Sequence, residues 1–95
     1  DYVKRLPRTI SNMEYGKQLI RSSGSQAANY IEANESLGKK DFMMKIKICR
    51  KESKESRLWL NLSEPLKESQ RDKENLIQEC TELMKIFGSI LEKSR

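Results

Sequence analysis

The sequence predicts an all-α protein, an up-and-down antiparallel bundle of three long helices preceded by the stub of a first. Three observations predict it. Apolar residues recur at alternating spacings of four and three along the later segments. No segment alternates polar and apolar positions as a half-buried strand does. The connections between helical segments are short, and short connections pack consecutive helices antiparallel. A chain of 95 residues has room for one domain, 1–95. Leu, Ile, Val and Phe total 21 of those residues and 35% are charged, so the core is thin. A partner chain is the expected means of covering the apolar surface that remains.

Residues 1–6 read as the last turns of a helix closed by Pro7. Asp1 is not an initiator Met, so the chain is expected to begin inside a longer gene product. Ser11 and Glu14 have capping-box spacing and predict a helix over about 12–34. Within it, Ser22-Ser23-Gly24-Ser25 is a run of poor helix formers. It permits a kink or a close neighbour, and the packing surface is the preferred reading. Gly38 ends the connection, and Asp41 suits the first turn of a helix over about 39–63. There Phe42, Ile46, Cys49, Ser53, Ser56 and Leu60 share an arc of about 80 degrees, a core row with small residues in its middle. Met44, Ile48, Trp59 and Leu62 widen the apolar arc to about 200 degrees, more than a surface helix needs, which points to a subunit interface. Pro65 forces Glu64 out of helical geometry. The last helix, about 71–93, carries Leu76, Cys80, Leu83, Phe87 and Ile90 as a heptad seam flanked by Ile77, Met84 and Leu91.

The inventory of reactive groups argues against an enzyme. With no His, Ser–His and Cys–His nucleophile systems are excluded, as are the Glu-x-x-His pairs of di-iron bundles. Glycine-rich phosphate loops are missing as well, so no cofactor, metal or small-molecule substrate is expected. There is no run of 18 apolar residues and no signal-peptide pattern, so the expected location is cytoplasmic, away from membranes. Cys49 and Cys80 are then expected as thiols.

Charge is concentrated. Residues 39–58 carry eight positive and three negative side chains, while the segments on either side nearly balance, so the net +5 resides in one helix. Lys40, Lys47, Arg50, Lys51, Lys54 and Arg57 share an arc of roughly 120 degrees opposite the core row. Such a stripe either contacts phosphates or is an ordinary solvated face. No Trp, Tyr or Phe lies within it, so the stripe itself is no stacking platform. A second constellation is polar. Asn29 with Glu32, and Glu52 with Glu55, each share a helix face, and Arg21 lies near the side of Glu32. Glu52 and Glu55 fall within the apolar arc, where carboxylates need a partner. A carboxylate metal site is conceivable, but transition-metal sites usually recruit His or Cys. An Arg–carboxylate network joining helices or subunits is preferred.

The stretch Gln18-Leu19-Ile20-Arg21-Ser22, then Ser25, then Ala28-Asn29-Tyr30-Ile31-Glu32-Ala33, resembles the signature of four-helix-bundle proteins encoded in intervening sequences of bacterial 23S ribosomal RNA genes. Lys40-Asp41-Phe42 and the run from Lys51 to Leu60 resemble its second half, and the resemblance extends from about Leu6 to the C-terminus. It implies a left-handed up-and-down four-helix bundle, of which this chain would lack most of the first helix, and homopentameric rings. A similar fold serves diversity-generating retroelements as an accessory protein, where a basic pentamer engages nucleic acid and a reverse transcriptase. The resemblance implies no established enzymatic activity. It marks Gln18, Arg21, Ser25, Asn29, Glu32, Asp41, Phe42, Glu52, Glu55, Trp59 and Leu60. Asn34 departs from it, since family members often carry Gly or a small residue there. Without its first helix the bundle is expected to expose an apolar groove, filled by a longer gene product or by another chain. Two functions are expected from these readings: an oligomeric module that holds RNA or a nucleoprotein through the basic stripe, or an assembly module without a nucleic-acid role.

Overall fold

A computed structural model describes residues 1–94. Three long helices account for most of them: α1 (Ile10–Asn34), α2 (Lys39–Leu62) and α3 (Gln70–Lys93), with 3-10 turns at Val3–Arg5 and Lys67–Ser69. Among the described residues there is no strand, and three helices pack together rather than four. The expected remnant of a first helix is a single 3-10 turn, not an α-helical end. Its chain leaves in extended geometry at Leu6, because the following Pro7 disfavours a helical conformation there.

Pairings between distant residues define the topology. Asn12 meets Glu64, Ser22 meets Ser56, and Glu32 meets Lys45, so α1 and α2 run antiparallel. Arg57 reaches Thr81 and the Arg50 guanidinium lies beside Gly88, which makes α3 antiparallel to α2. Helix α2 is the centre, with extensive contacts to both neighbours. Serving two partners accounts for part of its broad apolar arc: Trp59 packs on the core, while Met44 and Leu62 remain exposed. Ile46 and Cys49 are fully buried, and Ser53, Ser56 and Leu60 continue the same row. The small side chains do what their size permits, since Ser22 Oγ and Ser56 Oγ come within 2.7 Å across the α1–α2 contact. Of the serine run, Ser22 supplies this close contact within one continuous helix, while Ser23 and Gly24 face solvent.

The core has two parts. Ala33, Ile46, Cys49, Phe87 and Leu91 fill one end of the molecule, while Leu19, Leu60 and Cys80 pack with Tyr2 and Leu6 at the other. The N-terminal turn is thus core rather than appendage. Tyr2 Oη lies 2.6 Å from Ser63 Oγ, Arg5 pairs with Asp72 at 2.9 Å, and a side chain at Gly16 would collide with Val3. Beyond this turn an apolar groove of about 370 Å³ opens, lined by Leu19 and Ile20 on one side, Leu76 and Leu83 on the other, with Ser53 and Leu60 also lining it.

Local capping departs from the expected pattern. Helix α1 starts at Ile10, with Thr9 rather than Ser11 as its cap: Thr9 Oγ1 accepts the Asn12 amide at 3.0 Å. Glu14 accepts from Gln18 instead of closing a capping box. The Asn12 side chain, 2% exposed, donates to the carbonyls of Pro7 and Glu64 and accepts from the Glu64 amide. One amide side chain therefore pins the start of α1 to the α2–α3 connection.

Cys49 and Cys80 are free and buried. Burial raises both thiols above their ordinary 9.0, helped at Cys80 by the Glu79 carboxylate, and burial also raises Tyr2 above 10.0 against the opposing Ser63 hydrogen bond. In the unfolded chain these acids release protons at lower pH than in the native state, so native stability falls as pH rises past the unfolded values. The melting temperature is expected to hold up to about pH 8.5 and decline above pH 9. A melting temperature that rises between pH 9 and 10.5 would contradict this assignment.

Candidate nucleic-acid interface

Helical spacing places Lys47, Arg50, Lys51 and Lys54 on one side of α2, and α3 packed alongside makes that side the wall of a groove. Met43 and these four cations line it from α2, while Met84, Gly88, Leu91 and Glu92 line it from α3. Its volume is about 540 Å³, within the usual range for ligand-sized clefts. Among the described residues none of the four cations forms a salt bridge. Their fields therefore add in a cleft instead of being cancelled by carboxylate partners.

The two outer members of the predicted stripe do not line this groove. Lys40 lies near the start of α2, more than a helical turn from Lys47. Arg57 donates to Thr81 Oγ1 at 3.2 Å and so ties α2 to α3. The α3 contribution was missing from the sequence reading. An isolated Gly88 inside a helical apolar pattern is its one local sign. A Cβ built there would lie 4.0 Å from the Arg50 Cζ, so the absence of a larger side chain leaves room beside the guanidinium.

The polar constellation divides into separate groups. Arg21 uses its whole fork: Nε donates to Gln18 Oε1 at 3.0 Å, one terminal nitrogen reaches Glu52 Oε2 at 3.4 Å, and the other reaches Glu55 Oε1 at 2.9 Å. Glu52 is 7% exposed, and its second oxygen has no hydrogen-bond partner. Arg21 does not meet Glu32. That carboxylate accepts instead from Lys45 at 2.9 Å, and the bond raises the Lys45 ammonium above its ordinary value. Asn29 turns back on its own helix, donating to the Ser25 carbonyl at 2.8 Å and to Ser25 Oγ at 3.4 Å. Trp59 stacks on Tyr15 with centroids 6.2 Å apart, and its indole nitrogen is buried without an acceptor. Exposed Arg21 limits the energy of its ion pairs, so their clearest structural effect is to hold the register of α1 on α2.

Among the described residues no three His, Cys, Asp or Glu side chains converge as a metal site requires, and no helix is long and apolar enough to cross a membrane. Residues 1–89 match the family model described as 23S rRNA-intervening sequence protein. No curated protein and no solved structure matches the chain.

Proposed function

Because this chain belongs to the 23S rRNA-intervening sequence protein family, we propose that it is a non-enzymatic helical module that binds RNA, alone or within a nucleoprotein, through the basic side of α2. One observation carries the reading: Lys47, Arg50, Lys51 and Lys54 converge on a cleft with no carboxylate paired to any of them among the described residues. A merely solvated charged face gains nothing from such convergence, whereas a polyphosphate chain does. If these four cations neutralise four phosphates of a single strand, affinity falls about fifty-fold between 50 and 200 mM salt. Fluorescence anisotropy of labelled RNA over that range tests it. Affinity independent of salt would dismiss the proposal.

The second reading, an assembly module, draws on a different surface. Ile10, Met13 and Ile31 are exposed on α1 away from its buried residues, and Ile20, also exposed, lies at the rim of the apolar groove. A row of this kind, unpaired within the chain, supports a homo-oligomer, and the family resemblance favours the pentamer. The Arg21–Glu52–Glu55 group lies on the same pair of helices and would set the relation of this row to α2. Light scattering is expected to give a multiple of the 11.1 kDa chain mass, and Ile20→Glu to lower it, with Arg21→Ala or Glu52→Ala also altering it. A parent protein of single-chain mass would remove the assembly reading while leaving RNA binding to its own test.

A further inference from the structure

We propose that the α2–α3 groove takes an unpaired nucleotide of single-stranded RNA, with phosphates held by Lys47, Lys51 and Lys54 and a base seated on the floor beside Arg50. The inference rests on the reading of this face as an RNA-binding surface and specifies which form of RNA it accepts. Its basis is the division of the groove into two chemistries. The cations belong to α2, while the floor is apolar: Met43, Met84 and Leu91, the last of them buried. Phosphates and ribose have no use for an apolar floor, but the face of a base does. Thioethers are polarizable and make favourable contacts with aromatic rings, and a guanidinium plane is a regular stacking partner for an unstacked base. Gly88 leaves the space next to Arg50 open.

Dimensions favour the same ligand. From Lys47 to Lys54 the helix rises roughly 10 Å, so the three lysines can follow a short stretch of one sugar-phosphate backbone. A rigid duplex would rest on the rims and leave the floor empty, since its bases are stacked away from the protein. The sequence showed no aromatic platform within the stripe. The floor that replaces one comes from both helices and exists only once α3 is packed.

The full chain is tested with three probes: a short single-stranded RNA, the same RNA annealed to its complement, and a strand of equal length whose central positions lack bases. The intact single strand is expected to bind roughly ten-fold more tightly than the abasic strand, a modest stacking contribution, and more tightly than the duplex. Gly88→Leu fills the space beside Arg50 and keeps every charge, so it should bring intact and abasic strands to equal affinity. Met84→Gln, which changes the floor without enlarging a helix-contact residue, should narrow the same difference if Gly88→Leu fails to fold. Equal affinity of the parent protein for intact and abasic strands overturns the inference while leaving salt-dependent binding in place. Absence of salt-dependent binding to any probe overturns the underlying RNA reading as well.

Discussion

Asn12→Leu is expected to lower the unfolding free energy by about 3 to 5 kcal/mol, a large loss for a single polar substitution. The side chain is nearly inaccessible and satisfies three backbone groups, the carbonyls of Pro7 and Glu64 and the amide of Glu64. Leucine has similar bulk, so it excludes water and leaves those groups buried without partners, at about 1 to 3 kcal/mol each before relaxation. A domain of this size has a total stability of only about 5 to 14 kcal/mol. At about 4 to 8 °C per kcal/mol, the melting temperature should fall by at least about 12 °C. A shift of only two or three degrees would show that the connection between α2 and α3 is held by something other than this side chain.

Reversing Lys47, Arg50, Lys51 and Lys54 together to Glu is expected to weaken RNA binding at low salt by about 100-fold or more and to flatten its salt dependence. Each exchange changes the charge by two, so the net charge moves from +5 to −3. The four positions are exposed and outside the core, so the fold should persist. New like-charge pairs along the helix cost only a few tenths of a kcal/mol each. Circular dichroism verifies that α2 remains helical, and the corresponding fourfold Gln variant separates loss of attraction from new repulsion. RNA binding by the Glu variant within threefold of the parent would eliminate the groove as the contact surface. The Arg57→Gln and Lys40→Gln variants should matter much less, because neither side chain lines the groove.

How much of this was readable from the chain alone differs residue by residue. Ile46, Cys49, Ser53, Ser56 and Leu60 were identifiable as the inner row of α2, and the structure buries all five. The start of α1 was placed two residues late, because Thr9 and Ser11 are both good caps, and it is Thr9 that takes the extended backbone and accepts the Asn12 amide. Asn12 was not singled out. Its value depends on Glu64, 52 residues away, and no local pattern reports such a partner. Helical phase placed Arg21 near the side of Glu32 and favoured an Arg–carboxylate network between helices; Arg21 pairs with Glu52 and Glu55, while Glu32 pairs with Lys45. Phase gives the side of a helix, not which side chain of the neighbouring helix stands opposite.

The sequence by itself determined an all-α chain, its three long helices, the core row of α2 and the concentration of positive charge on that helix. These follow from spacing within one segment, because the α-helical repeat is a local property of the backbone. Only the tertiary structure decided that α2 lies between two partners, that Val3–Arg5 is a 3-10 turn rather than the end of a first helix, that Tyr2 and Leu6 belong to the core, and that Met84 and Gly88 complete the basic groove. Those outcomes depend on interhelical register, which is selected by the best simultaneous fit of distant side chains. Close packing makes that fit a property of the whole molecule rather than of any segment.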